Sequence, residues 1–239
     1  MMRPETSMEI GLWNIDHPET GSGSRRKEQR YSDVLAFLKQ TDCDILILTE
    51  ANAAMKLPGY TCYLSEKSPF RSKRRFYGPP NQYHQVAVYS RIPVKNIPLA
   101  EPINGVRCQL PDGYSLKEIY GNVVTLKDRW KKDSSKTQRD RLQEQVKVIQ
   151  TLPQKGVLIG GDFNLKPGWN KDLHARVKQE LGDKGWAWPT ENRNDGVQQI
   201  LHSPDLNIYV DVDQSPNRKY HPDTGLSDHP FIRIRTLYA

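Results

Sequence analysis

The sequence is short of cysteine and of long apolar runs. Its 239 residues include three cysteines, Cys43, Cys62 and Cys108. Because these are odd in number and far apart, they predict neither a disulfide framework nor a zinc-finger pattern. No apolar run reaches the length of a membrane span, and the first residues, MMRPETSMEIGLWN, lack the apolar core of a signal peptide. We therefore expect a cytoplasmic protein that does not enter a membrane.

Internal repeats and a dividing linker are also missing from the sequence. Apolar residues make up 36% of the chain and are spread along it in short runs, which is compatible with a globular protein that buries a sizeable core. We expect a single domain over residues 1–239, with its core between about residues 9 and 235. We also expect a monomer.

Positive charge is in excess and is clustered. The formal net charge is +7, which favours a polyanionic partner such as nucleic acid. Three segments mix cations with an aromatic residue, and they read GSGSRRKEQRY (21–31), FRSKRRFYGPP (70–80) and KDRWKKDSSKTQRDR (127–141). A charge run is usually a solvated loop, but this mixture suits phosphates and an unstacked base. From these segments we take Arg74, Arg75, Arg139 and Arg141 as candidate phosphate ligands.

Apolar periodicity predicts strands that alternate with helices. Helical spacing marks residues 30–40, 141–152 and 172–185, whereas dense or alternating apolar runs mark strands at 9–15, 43–50, 85–91, 155–163, 197–203 and 230–237. Pro111-Asp112-Gly113 predicts the turn of a hairpin. The pattern is typical of an α/β fold with mixed sheets.

Several predicted strands end in polar residues of the same kind. The stretch VLIGGDFNLKPGW (157–169) runs from a buried strand into Asp162 and Asn164, and WNID, TE and SDH occupy similar places elsewhere. If the strand continues, residues two apart share a face; the alternative is that they are ordinary turn residues. Together these oxygens and one imidazole form a donor set that suits Mg²⁺ or Mn²⁺ rather than zinc.

These segments carry a family resemblance. WNID, LTE, VAVYSRIPV, GGDFN and SDHPFI, in this order, resemble the endonuclease/exonuclease/phosphatase family, which includes enzymes like deoxyribonuclease I and exonuclease III. The resemblance runs from residue 9 to about residue 235. It implies an α/β fold, a four-layer sandwich of two packed mixed β-sheets flanked by helices. It also implies a metal-dependent hydrolase that acts on phosphate esters.

The resemblance also implies roles for individual residues. Glu50 matches the main metal ligand, and Asp16 and Asp228 match residues that support the metal, with Mg²⁺ or Mn²⁺ as the expected ion. Asn14 matches a residue of the first strand that supports the metal and the phosphate.

The remaining matched residues surround the scissile phosphate. Asp162 resembles the aspartate that orients or deprotonates the attacking water, Asn164 the amide that holds a phosphate oxygen, and His229 the histidine beside the phosphate. Attack on an anionic phosphodiester needs charge neutralisation, donors and a base. Which group is the base is left open at this point.

The sequence departs from the family pattern at two positions. Thr125 stands where the family has a phosphate-contacting ring, and we hypothesise that Thr125 or Lys127, helped by Arg139 or Arg141, replaces it. Gln198 stands where the family has an aspartate that orients the histidine. An amide can orient an imidazole but supplies no charge.

Two consequences follow for His229. Either Gln198 orients a neutral imidazole, or His229 borrows a carboxylate from Asp195, Asp211 or Asp213.

Trp186 and Trp188, in DKGWAWPTE, are either base-stacking residues or core residues.

Three functions remain in competition. The first is a metal-dependent nuclease that cleaves DNA or RNA, which the positive charge favours. The second is a phosphatase or phosphodiesterase that acts on a small or lipid-linked phosphate. The third is a nucleic-acid-binding protein without catalysis, for which the changes at Thr125 and Gln198 are the argument.

Overall fold

The chain forms two β-sheets and a small number of helices. A computed structural model describes residues 7–67, 80–100, 104–125, 137–194 and 196–237. The strands in these ranges are β1 (Ser7–Asn14), β2 (Ile45–Asn52), β3 (Thr61–Leu64), β4 (Tyr83–Ser90), β5 (Lys95–Ile97), β6 (Gly105–Gln109), β7 (Glu118–Val123), β8 (Val157–Asp162), β9 (Gln198–His202), β10 (Asn207–Asp213) and β11 (Phe231–Leu237). The helices there are α1 (Arg25–Gln40), α2 (Gln138–Gln150) and α3 (Lys171–Gly182).

Both sheets are mixed and pack face to face. The first has the order β10-β11-β1-β2-β4-β3, and the second has the order β5-β6-β7-β8-β9. Strand β1 is parallel to β2, and β7 is parallel to β8, whereas the other pairs are antiparallel. The buried layer between the sheets joins Leu12 and Ile47 of the first to Ile119 and Leu158 of the second. Gly160 fits this layer because a Cβ there would lie 3.0 Å from the Ile47 side chain.

Helices cover the outer face of each sheet. Val34 and Leu38 of α1 pack with Trp13 and Phe231 of the first sheet. In the same way, apolar side chains of α2 and α3 pack on the second sheet. The layers therefore run helix, sheet, sheet, helix, and the predicted four-layer sandwich is confirmed. In the described ranges, no helix is long and apolar enough to cross a membrane.

Most predicted elements are present with shifted ends. Helix α1 begins at Arg25, five residues before the predicted start, and the predicted hairpin is formed by the antiparallel strands β6 and β7. Strands β3, β5 and β10 were not predicted. All three are outer strands of their sheets, where half-exposed positions weaken the apolar signal.

Candidate active site

The polar strand ends meet at one edge of the sandwich. Parallel pairing of β1 with β2 sets Asn14 beside Thr49, so that the carboxyl ends of the two strands coincide. Across the layer between the sheets, the Asn14 Nδ2 donates to the Asp162 Oδ2 at 3.1 Å. A hydrogen bond between the two sheets therefore lies at the centre of the candidate site.

Asp162 and Asn164 are joined by a turn rather than by a continuing strand. Strand β8 ends at Asp162, and Asn164 has a φ of +49°, so the condition for a shared strand face is not met. The Asn164 backbone N–H instead donates to the Asp162 Oδ1 at 3.0 Å, and the Asn164 Nδ2 donates to the Val124 carbonyl at 2.8 Å. Gln138, at the start of α2, donates its Nε2 to the Asn164 carbonyl. The turn is thus anchored on three sides.

Asp162 is a buried carboxylate without a guanidinium or ammonium partner in the part of the chain described. Its side chain is 4% exposed. Burial raises the pKa of its carboxyl and the nearby Glu50 adds to this rise, whereas His229 and the hydrogen bonds from Asn164 and Asn14 oppose it. These effects show that Glu50 and His229 lie close enough to act on Asp162 electrostatically.

Glu50 is held by a histidine that the sequence patterns did not single out. The His17 Nε2 lies 2.6 Å from the Glu50 Oε2, and the backbone N–H of His17 donates to the Glu50 carbonyl at 3.1 Å. The His17 ring is buried and stands edge-on to Tyr83, with ring centroids 4.2 Å apart. His17 directly follows the WNID motif, and this position was its only signal in the sequence.

Backbone strain is concentrated in the same place. Among the described residues, the non-glycine residues with positive φ are Asp16, His17, Asp42, Glu50 and Asn164. All but Asp42 belong to the candidate site. Non-glycine residues in this region cost free energy and persist only where the surroundings hold them, which is a common feature of functional sites.

The carboxylate of Asp16 forms ion pairs with two arginines. Its Oδ2 lies 2.5 Å from the Arg218 Nη2 and 3.6 Å from the Arg30 Nη2. Arg30 also donates to the carbonyls of Ile15 and Leu226. Asp16 therefore ties the loop before β11 to the end of β1, and the metal role predicted for it stays a prediction.

The loop before β11 brings Asp228 and His229 to the site. The Ser227 Oγ donates to the Asn14 carbonyl at 2.6 Å, and the Trp13 Nε1 donates to the His229 carbonyl at 3.1 Å. The His229 Nε2 lies 3.3 Å from the Oδ1 of Asp228, whose side chain is exposed. This carboxylate belongs to the residue next to His229, and it was not among the partners considered for the imidazole.

Gln198 lies beside Asp162 in the β8–β9 ladder. In the amide orientation that satisfies its neighbours, its Oε1 accepts from the Asn14 N–H at 2.8 Å and its Nε2 donates to the Pro230 carbonyl at 3.0 Å. Both ends of the Gln198 amide are engaged by backbone groups, and no hydrogen bond from Gln198 to the imidazole is seen among the described residues, so the bond to His229 stays a prediction. In this orientation Gln198 contacts the backbone next to His229.

The predicted phosphate ligands divide into three groups. Thr125 is buried, and its carbonyl accepts from the Nε of the buried Arg141 at 2.6 Å, so this contact supports the chain after β7. Arg139 is exposed at the start of α2. Lys127, Arg74 and Arg75 lie outside the described residues, as does Asp195.

Burial settles the two alternatives for Trp186 and Trp188. Trp186 and Trp188 are 4% and 7% exposed and pack in the core beneath α3, so the core interpretation is correct for both. Asp211 and Asp213 lie on β10, where each accepts a nearby backbone N–H.

The site offers oxygen donors for a divalent cation without forming a complete cage. Across the described ranges, no group of three or more His, Cys, Asp or Glu side chains is arranged to hold a metal ion. Mg²⁺ usually binds through one or two carboxylates together with water and substrate phosphate. Glu50 raises the pKa of the Asp162 carboxyl, so the site brings two acidic side chains near each other, and this donor set fits a cation whose remaining ligands are water and substrate phosphate.

One sequence model of a protein family matches most of the chain. This model, described as the endonuclease/exonuclease/phosphatase family, matches residues 11–229. A search of curated protein sequences found no match.

Solved structures match the fold over nearly the whole chain. The endonuclease domain of TRAS1, a telomere-specific non-LTR retrotransposon, has a TM-score of 0.63 at 13% identity and covers 97% of this chain and 98% of its own. The human Nocturnin catalytic domain with bound sulfate gives 0.64 at 15% identity, with 98% and 94% covered. The 3′ phosphatase NExo from Neisseria, bound to a product DNA hairpin, gives 0.63 at 17% identity, with 97% and 100% covered. At these identities the likeness shows the fold.

Proposed function

The chain belongs to the endonuclease/exonuclease/phosphatase family, and from this premise we propose that it is a metal-dependent phosphodiesterase, a nuclease that hydrolyses DNA or RNA with an activated water. Members of the family are hydrolases of phosphoester bonds and generally use divalent metal ions. The neighbouring structures include proteins named as an endonuclease and as a 3′ phosphatase.

The observation that carries the proposal is the buried Asp162 at the junction of the two sheets. Its Oδ2 is held by Asn14 and its Oδ1 by the Asn164 N–H. Burial raises its pKa, and a higher pKa makes a carboxylate a better proton acceptor near neutral pH. Asp162 is thus the group that we assign to orient the attacking water and accept its proton.

Two neighbours of Asp162 complete the contacts with the scissile group. The Asn164 Nδ2 carries two hydrogens, and one of them bonds to the Val124 carbonyl. The second is free to donate to a phosphate oxygen. His229 is partly exposed beside Asp162 and Asp228, where its imidazole donates to the phosphate or to the leaving oxygen.

We assign the metal position to Glu50 and Asp228. Glu50 is oriented by the 2.6 Å contact between its Oε2 and the His17 Nε2. A divalent cation bound here, with Mg²⁺ as the proposed ion, supplies positive charge that neutralises and polarises the scissile phosphate.

A polymer is the proposed substrate because the chain is strongly basic. A net charge of +7 attracts a polyanion along its length, and binding that releases counterions weakens steeply with salt. A small phosphate ester does not produce so steep a dependence. The salt dependence of KM therefore separates a nuclease from an enzyme with a small substrate.

The direct test is cleavage of labelled single- and double-stranded DNA and RNA, with and without a 3′-phosphate. Each substrate is incubated with Mg²⁺, with Mn²⁺ and with EDTA, using wild-type protein, Asp162→Ala and the control Asp112→Ala. Asp112 is exposed at the tip of the β6–β7 hairpin, whereas the site lies at the other ends of these strands. We expect cleavage by wild type and Asp112→Ala with metal only. Absence of cleavage under every condition would overturn the nuclease proposal.

A further inference from the structure

Trp169 is a large aromatic side chain that the fold leaves in solvent. Its side chain is 55% exposed, whereas Trp13, Trp186 and Trp188 are all buried. The ammonium group of Lys166 lies 4.5 Å from the centroid of the Trp169 ring. A cation at this distance interacts favourably with the ring. Trp169 is therefore presented as a flat aromatic surface with positive charge beside it.

The loop that carries Trp169 is held in place on both sides. The Trp169 backbone N–H donates to the Lys166 carbonyl at 3.1 Å. Asn194 accepts from the Gly168 N–H through its Oδ1 at 2.9 Å and from the Lys166 Nζ through its carbonyl at 3.3 Å. Asn170 then caps α3 by accepting from Leu173. An exposed aromatic residue on an anchored loop loses little conformational entropy when it binds.

This loop begins at the candidate active site. Trp169 follows Asn164 by five residues, which limits their separation to roughly 17 Å. A second connection runs through the loop before β9, because Asn194 binds the Trp169 loop and Gly196 lies against the ring of Pro230, next to His229. Trp169 and His229 thus lie on connected loops at the same edge of the sandwich.

We propose that Trp169, supported by Lys166, is a stacking subsite for an unpaired nucleobase of the strand whose phosphodiester lies at Asp162 and His229. The proposal rests on the nuclease function and adds a preference for single-stranded, frayed or flipped-out nucleotides. A base inside a duplex has both faces covered, whereas an unpaired base stacks on an aromatic ring whatever its sequence. A few nucleotides span the distance from the scissile phosphate to Trp169.

The chain contains a matched control for this surface. Tyr209 is 60% exposed and lies on β10, opposite Arg235 of β11, which in turn pairs with Glu9 of β1. Glu9 is five residues before Asn14, so Tyr209 lies towards the opposite ends of the strands. Loss of this aromatic ring tests for general effects of removing exposed apolar area.

The test measures the affinity of the full chain for fluorescent single-stranded oligonucleotides by anisotropy. All proteins carry Asp162→Ala so that the strand stays intact. We expect Trp169→Ala to weaken binding by about 5- to 150-fold, Trp169→Phe to restore part of the affinity, and Tyr209→Ala to change nothing. The salt dependence of Kd should keep its slope, because no phosphate contact is removed.

A second oligonucleotide series locates the stacked base. One base at a time is replaced by an abasic sugar, and the loss of affinity is measured with Trp169 and with Trp169→Ala. If one base stacks on Trp169, one abasic position in the oligonucleotide should weaken binding strongly when Trp169 is present. The same position should not weaken binding by Trp169→Ala.

The outcomes separate this inference from the proposed function. If wild type cleaves nucleic acid but Trp169→Ala binds as tightly as its parent at every abasic position, the stacking subsite is wrong and the nuclease stands. If wild type neither binds nor cleaves any polymer, both are wrong. Equal losses for Trp169→Ala and Tyr209→Ala would also overturn the subsite.

Discussion

Two buried carboxylates lie at opposite ends of the sandwich, and the fold treats them differently. Glu9, near the start of β1, is 6% exposed, with the Arg235 Nε 2.5 Å from its Oε1 and the Arg233 Nη1 3.6 Å from its Oε2. Asp162, at the end of β8, is 4% exposed and receives its hydrogen bonds from an amide and a backbone N–H. One carboxylate is neutralised by the protein, whereas the other is held by neutral donors.

This difference indicates what each end of the molecule is for. A buried charge is costly unless it is paired, so the ion pairs of Glu9 with its arginines make it a structural contact whose charge is balanced within the chain. Asp162 retains a raised pKa beside a second carboxylate, Glu50, and in the proposed function positive charge from outside the chain completes this arrangement. Unpaired buried charge and strained backbone both occur at the end where we place the chemistry.

The largest effect is expected from Asp162→Asn. The variant keeps an oxygen for the Asn164 N–H but cannot accept a proton, so turnover should fall by about a thousandfold or more. The measurement is kcat on the best oligonucleotide substrate. Asp112→Ala serves as the control, and turnover of Asp162→Asn within tenfold of wild type would refute the assignment of Asp162.

The pH dependence of Tm in wild type and in Asp162→Asn tests whether the pKa of Asp162 is raised. Its folded-state pKa is raised, so the folded protein binds this proton more tightly than the unfolded chain. That contribution to the free energy of unfolding is fully present below the pKa of the carboxyl in the unfolded chain. It is lost as the pH rises through the higher pKa of the folded state. As the pH rises above the ordinary range of a carboxyl, the Tm of wild type should fall relative to that of Asp162→Asn. A constant difference would show that the carboxyl is not perturbed.

A smaller effect is expected from His17→Phe. The substitution removes the nitrogen that orients Glu50 but keeps a ring against Tyr83. Loss of a group that orients a metal ligand typically costs about 10- to 100-fold in metal affinity. We expect this loss in a calorimetric titration with Mn²⁺, with partial recovery in His17→Gln. His174→Phe is the matched control, because this buried histidine faces Trp188 in the helical layer. Equal losses of Mn²⁺ affinity in both variants would show that His17 does not orient the metal ligand Glu50.

Gln198→Ala should have a moderate effect on turnover. It leaves the Asn14 N–H and the Pro230 carbonyl without their partners, which shifts the backbone beside His229 and lowers kcat by about tenfold. Because no hydrogen bond joins Gln198 to the imidazole among the described residues, the shape of the pH–rate profile should stay unchanged. A shifted profile would support the prediction that Gln198 contacts the ring.

The sequence could predict the layers and most of the site because both depend on local patterns. GGDFN and SDHPFI mark their strand ends by residue type alone. Partners far apart in the chain could not be predicted in this way. Arg218 binds Asp16 from 202 residues away, and nothing near either residue indicates the other.

Burial of single aromatic residues was equally hard to predict. Trp186 and Trp188 are buried and Trp169 is exposed, although Trp169 and Trp186 each directly follow a glycine that a lysine precedes closely in the sequence. The difference arises from packing under α3, where Trp188 also donates to the Gln199 Oε1 at 2.8 Å. Side-chain burial of this kind depends on tertiary contacts that a local pattern does not contain.

The smallest effect on activity is expected from Glu9→Gln, and this variant completes the comparison between the two ends. Both arginines are partly exposed, so their charges remain hydrated when the carboxylate is removed. The free energy of unfolding should fall by about 1–2 kcal/mol, which corresponds to a decrease in Tm of about 2–8 °C. Turnover and Mn²⁺ affinity should match wild type, since the pair lies at the far end of β1. If Glu9→Gln lowered kcat as much as Asp162→Asn does, the assignment of a structural role to Glu9 and a catalytic role to Asp162 would be wrong.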